Sequence, residues 1–262
     1  MTLLAWRRYG PESEDGVPLV LLHAFPVDSQ MWTYVITAMP QVPVITVDAP
    51  GFGLSPPLEG GLEEYADAVA ATLEHAGIDR AAIAGLSMGG YAALALAQRR
   101  PDLFAGIGLL DTKAGADPAE GRAKRLQMAQ EALGPAGATV VEPMVDTLLG
   151  PDPEEQVRQE VSSWLSHAPP SAIAWAQRAM AARPDRLAAL TDLHERDVAA
   201  LVLRGEQDAT ASTAEHQELA TALGTAVVQV DGAGHLSAAE APREVAQALT
   251  DLWQRATATT AP

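Results

Sequence analysis

The sequence has no cysteine among its 262 residues. Disulfides, thiolate nucleophiles and cysteine-ligated metals are thereby excluded. Positive charge is scarce: 17 lysines and arginines stand against 34 aspartates and glutamates, a formal net charge of −17. Nucleic acid and anionic membranes both need a cationic face, so neither is an expected partner. The acidity reads as a solubility device rather than as attraction of a cationic substrate. No uninterrupted apolar run is long enough to span a bilayer. The opening residues, Met1 to Gly10, lack the basic start and apolar h-region of a signal peptide, so the cytoplasm is the expected location. The six histidines show no HExxH-type spacing, and no metal site is expected.

What is present is a soluble composition, 48% hydrophobic with a mean hydropathy of +0.03, and enough length for one large core. Leu3–Tyr9 alternates weakly, as a first strand would, and strand-like runs recur at Pro18–Leu22, Val42–Val47, Ala81–Leu86, Phe104–Leu110, Val198–Leu203 and Ala226–Val230. Helical patterns fall between most of them, near 29–39, 62–75, 91–99, 213–223 and 241–255. Gly10-Pro11-Glu12-Ser13 reads as a turn, and the Thr/Ala tail beyond Thr257 as a frayed end. From Thr112 to about Arg196 strand-like runs disappear. Helical windows near 118–133, 138–149, 153–167 and 171–182 replace them, separated by Gly-Pro and Pro-Pro pairs. Strands alternating with helices predict a parallel sheet with right-handed crossovers and helices on both faces. Working groups then collect at the carboxyl ends of the strands. His23, Asp48, Ser87, Asp111, Asp208 and His235 all stand at or just past such ends.

The chemistry centres on Gly85-Leu86-Ser87-Met88-Gly89, between an apolar run and an alanine-rich helical pattern. A sharp strand-to-helix turn holds its middle residue up at the strand end, and flanking glycines relieve the crowding. A serine hydroxyl is a poor nucleophile unless a base takes its proton and a third group holds that base. Ser87, Asp208 and His235 supply these in the order Ser…Asp…His. His235 lies in Gly-Ala-Gly-His, a mobile-looking run of small residues, whereas His75, His167, His194 and His216 sit in helical or charged surroundings. His23 is the rival base, read as a brace for its loop. Asp111 is the substitute for Asp208, and Asp231 beside Gly232 reads as a turn residue. The oxyanion needs two inward N–H groups, expected from Met88 and Phe25.

Five motifs in this order resemble the α/β-hydrolase superfamily over nearly the whole chain. They are His23-Ala24-Phe25-Pro26, the Asp48-Ala49-Pro50-Gly51-Phe52-Gly53-Leu54-Ser55 loop, Gly85 to Gly90, Asp208 in its post-strand loop, and Gly232-Ala233-Gly234-His235. Within it, the stretch from His23 to Trp32 resembles bacterial carboxylesterases, aryl esterases with perhydrolase side activity, and 3-oxoadipate enol-lactonases. The resemblance implies an α/β fold with a mostly parallel sheet of about eight strands. It implies a core of residues 1–111 and 197–262, with 112–196 inserted as a helical cap. Ala24 departs from the glycine usual after the histidine.

The activity so implied is hydrolysis of small carboxylic esters or lactones through an acyl-enzyme on Ser87, with no cofactor or metal. A barely catalytic small-molecule receptor on the same scaffold, and cofactor-free perhydrolase or C–C hydrolase chemistry, are the alternatives. Phe25, Trp32, Met88, Met144, Trp164, Trp175 and Met180 are the candidate pocket lining. Arg178 and Arg183 could face a carboxylated lactone, although helical arginines are more often solvated.

Overall fold

The structure, a computed structural model, describes residues 2–11 and 17–258. Its strands are β1 (Trp6–Tyr9), β2 (Leu19–Leu22), β3 (Val44–Val47), β4 (Ala81–Leu86), β5 (Phe104–Leu110), β6 (Ala199–Gly205) and β7 (Val227–Val230). They form one sheet in the order β1-β3-β2-β4-β5-β6-β7. All neighbours run parallel except β1, which pairs antiparallel with β3. β2 to β5 are buried at every position, as continuous apolar runs demand when helices cover both faces.

The eight strands implied by the resemblance are corrected to seven among the described residues. The chain carries seven strand-like runs and each forms one strand. The first is shorter than its pattern: Leu4 and Ala5 donate their N–H groups to the hydroxyls of Thr72 and Ser55, although Ala5 O still accepts from Asp48 N at 3.0 Å. Part of the turn read at Gly10-Pro11-Glu12-Ser13, and the tail past Ala258, lie outside the described residues.

The helices are α1 (Thr33–Ala38), α2 (Leu62–His75), α3 (Met88–Arg99), α4 (Ala119–Ala132), α5 (Val145–Leu148), α6 (Glu155–Ser166), α7 (Pro170–Ala182), α8 (Leu187–Glu195), α9 (Thr213–Ala222), α10 (Ser237–Glu240) and α11 (Pro242–Ala258). α11 packs on β4, β5 and β6 and meets α1, while α3 lies across β2, β4 and β5 and meets α2. α2 starts where its pattern says, with Glu63 and Glu64 in the first turn and the Glu64 carboxylate accepting from Gly61 N at 2.7 Å. α4 to α8 occupy the stretch between β5 and β6, with α4 and α7 packed along each other.

Two helical readings change here. The window at 138–149 is broken into 3-10 turns at Gly137–Val140 and Glu142–Met144 before the short α5. Pro143 cannot donate into a continuous helix, and the β-branched pair before it disfavours one. α8 is an additional helix that no window marked; Pro184 and Arg186 precede it, and Asp185 accepts from Leu187 N at 2.9 Å. Among the described residues no helix is long and apolar enough to cross a membrane.

Candidate active site

The parallel register brings the carboxyl ends of β2, β4, β5, β6 and β7 to one edge. Ser87 follows β4 with φ 53° and ψ −111°, a left-handed conformation that costs a non-glycine residue strain. The turn is possible because neighbouring positions lack side chains. A Cβ on Gly89 would collide with the main-chain carbonyl of Leu22, and one on Gly85 with the backbone of Gly89. The elbow is tied down on its far side, where Ser87 N donates to Leu110 O at 2.9 Å and Thr112 Oγ1 donates to Ser87 O at 2.9 Å.

His235 reaches Ser87 from the loop after β7. Ser87 Oγ donates to His235 Nε2 at 2.8 Å, and His235 Nδ1 donates to Asp208 Oδ1 at 3.0 Å. The three side chains expected together from sequence therefore do meet, all nearly closed to solvent. Burial works against a charged imidazole, but the hydrogen bond and charge of Asp208 outweigh it and raise the His235 pKa. Burial likewise opposes the Asp208 carboxylate. The bond from His235 and the N–H groups of Thr210 and Ala211 overcome that and hold its pKa below the usual value.

His23 is accounted for differently. Its Nε2 accepts from Ala49 N at 2.7 Å, which leaves Nδ1–H to donate to Ala24 O at 2.8 Å. Both nitrogens are occupied and burial lowers its pKa, so it braces the loop of Phe25 rather than acting as a base. Asp48 does parallel work, accepting from Ser29 N and Leu54 N. The result is a fixed Phe25 N–H and, at the first position of α3, a Met88 N–H. Among the described residues neither is hydrogen-bonded. Helix geometry leaves such first-turn donors free for an anion.

The pocket candidates are scattered. Trp164 lines a cavity of 340 Å³ with Pro26, Val27, Phe52, His167 and Ala168, between the Phe25 loop and α6. Trp32 is fully buried. Trp175 donates to Gly60 O and stands edge-on to Tyr65, Met180 Sδ accepts from Arg125, and Met144 is half-buried against the core. Arg178 is exposed. Arg183 is neither solvated nor free: it makes two bonds to Asp117, of 2.8 and 2.6 Å, and lies over the ring of Tyr91.

Sequence reasoning missed several contributors. Glu240 accepts from Gly150 N and Gly234 N, both at 2.8 Å, and so joins the end of α5 to the loop of His235. Thr112 and Ser237 also went unread; their only signal is that each lies within two residues of a strand-end acid or base. One group among the described residues has ligand atoms that converge as a metal site would, Asp111, Asp208 and His216, within 4.8 Å of one another.

Three kinds of comparison bear on this geometry. A family model described as "Alpha/beta hydrolase family" matches residues 19–248. Among solved structures, a thermophilic esterase from Thermogutta terrifontis superposes with a TM-score of 0.89 at 31% identity, over 97% of this chain and 94% of that one. The enol-lactonase from Burkholderia xenovorans LB400 gives 0.85 at 25% identity, over 96% of each. Among curated proteins, a pimeloyl-[acyl-carrier protein] methyl ester esterase of Legionella pneumophila is 40% identical over 88 residues, 33% of this chain and 34% of that protein. The acetyltransferase component of the acetoin cleaving system of Pseudomonas putida is 33% identical over 166 residues, 62% of this chain and 43% of that protein. The chain thus spans less than half the length of these curated relatives.

Proposed function

Since the chain belongs to the alpha/beta hydrolase family, we propose that it is a serine hydrolase of small carboxylic esters or lactones. The observation that carries this reading is the unbroken chain from Ser87 Oγ through His235 to Asp208, with Ser87 held at a left-handed turn. Ser87 Oγ attacks the carbonyl carbon as His235 Nε2 takes its proton. Asp208 keeps the imidazole in the right tautomer and stabilises the imidazolium. The carbonyl oxygen becomes an oxyanion and is met by the N–H groups of Met88 and Phe25. His235 then protonates the leaving alkoxide, giving an alcohol and an acyl-Ser87 ester. Water, deprotonated by the same imidazole, attacks this ester. The acid departs and Ser87 regains its proton.

In this reading residues 112–196 are the cap, and 1–111 with 197–262 the core. The substrate enters under the cap, on the side where the cavity lined by Pro26, Val27, Phe52 and Trp164 lies. An uncharged acyl group is favoured over a carboxylated one. Arg183, the arginine that could have met a carboxylate from inside the cap, is already committed to Asp117. The relatives named as esterases and an enol-lactonase are in keeping with the reaction class.

The test is a panel of p-nitrophenyl esters and uncharged lactones, with a fluorophosphonate probe in parallel. Turnover and labelling by the wild type, both abolished in Ser87→Ala, are the expected result. Equal rates in the two proteins would overturn the reading.

A further inference from the structure

β5 lies between β4, which presents the nucleophile, and β6, which leads to the acid. Whatever follows β5 therefore stands among the loops of the catalytic groups. Asp111 is that residue. Its N–H donates to Leu203 O at 2.9 Å, continuing the β5–β6 ladder by one rung. Its φ of 46° then turns the chain sharply, a conformation that aspartate and asparagine tolerate better than other non-glycine residues.

The side chain is fully buried. Oδ1 accepts from Gly205 N at 2.7 Å, three positions before Asp208, and Oδ2 accepts from the hydroxyl of Ser237, two positions after His235. The adjacent Thr112 bonds the carbonyl of Ser87. The two loops bridged by the carboxyl are in backbone contact as well, with Gln207 N donating to Ala233 O at 2.8 Å. A Cβ on Gly205 would collide with the Gly234 carbonyl.

We infer that Asp111 is a positioning residue: its one carboxyl group fixes the loop of Asp208 against the loop of His235, and so sets the distance across which the acid holds the base. This deepens the serine hydrolase reading and rests on it.

The electrostatics fit a scaffold role rather than that of a second acid. Asp111, Asp208 and His216 converge within 4.8 Å; the charges that act on Asp111 are those of His235 and Asp208, while Arg204 also acts on His216. His216 Nδ1–H donates to Ser212 O at 2.9 Å, which leaves Nε2 with only a lone pair, unpartnered and buried. Asp208 Oδ2 is also without a partner. Asp111 stands beside these unpartnered acceptors, and burial pushes its pKa up to about 7. Asp208, with three donors on Oδ1, keeps the charge. Two carboxyls whose surroundings drive their proton affinities apart divide the work in this way.

The experiment compares Asp111→Ala, Asp111→Asn and Ser237→Ala in the full chain. It reads kcat and KM on a p-nitrophenyl ester and the rate of fluorophosphonate labelling. Misplacing a catalytic group by about 1 Å costs roughly 100-fold, so Asp111→Ala should lower kcat by about that factor with KM little changed. Ser237→Ala should lower kcat by a smaller factor. Combining the two should cost no more than Asp111→Ala alone, because they break one tie. Asp111→Asn keeps an acceptor for Gly205 and mimics the protonated carboxyl, so it should restore most of kcat.

A folded Asp111→Ala with wild-type kcat overturns the inference, as does an Asp111→Asn as impaired as Asp111→Ala. If Asp111→Ala does not fold, an unchanged kcat in Ser237→Ala overturns it. Ser87→Ala and His235→Ala separate the two levels. If they too keep turnover, the triad reading falls; if they lose it while the Asp111 and Ser237 variants do not, only the positioning role falls.

Discussion

The guanidinium of Arg183 lies 4.2 Å from the ring centre of Tyr91. Tyr91 is in the first turn of α3, the helix that begins just after Ser87, and Arg183 closes α7. The contact joins the helical segment between β5 and β6 to the helix that carries the elbow. It is reinforced behind by Asp117, which holds both Arg183 and Arg125. The segment that in our reading selects the substrate is thus anchored to the nucleophile's own helix.

Arg183→Ala should leave the buried Asp117 carboxylate with Arg125 alone. Breaking a buried pair from one side costs about 3 kcal/mol, and urea unfolding should register a loss of that order.

Acid should weaken the same anchor. Burial alone would raise the Asp117 pKa, but the two arginines hold it well below the ordinary range. A depressed folded-state pKa contributes stability above the unfolded value of about 3.9, and that stability is lost as pH falls below it. The urea midpoint should drop progressively as pH falls below about 4 toward the folded value, and less steeply in Arg183→Ala.

Ser87→Ala should cut kcat/KM by about 100,000-fold or more, the loss typical of removing a nucleophile that works as a unit with its base. Ser87→Gly should be equally inactive yet more stable than Ser87→Ala by about 1 kcal/mol, since glycine takes the left-handed turn without strain. Calorimetry of the two inactive proteins measures that difference.

The acid limb of kcat/KM reports the base. His235 must be neutral to accept the serine proton, and its pKa is raised above the ordinary imidazole value of about 6.5. Activity should therefore fall as pH drops through a midpoint above that value. Asp208→Asn removes the bond and charge that raise it, so the midpoint should move down and kcat fall by about 10,000-fold.

Gly89→Ala tests the elbow's steric demand. Its Cβ would meet the Leu22 carbonyl, main chain that cannot swing aside. Overpacking of this kind costs about 1–3 kcal/mol. Both the melting temperature and the fluorophosphonate labelling rate should fall.

The amino-acid sequence by itself determined the order of the strands and which three side chains, Ser87, Asp208 and His235, would meet. The central strands β2 to β5 follow continuous apolar runs, because burial on two faces leaves no room for alternation. Ser87, Asp208 and His235 were legible because parallel strands deliver their ends to one edge, and small residues flank the turns. Tertiary structure decided the rest. His23 and His235 both follow strands; only the Ala49 N–H on His23 Nε2 shows which imidazole is spent on bracing. Arg183 reads as a helical, solvated cation until Asp117, 66 positions away, is found against it. Asp111 reads as a rival acid until Gly205 and Ser237, 94 and 126 positions distant, take its two oxygens. In each case the side chain's role is set by hydrogen bonds to chain remote in sequence, and local pattern carries no record of which partner the fold will bring.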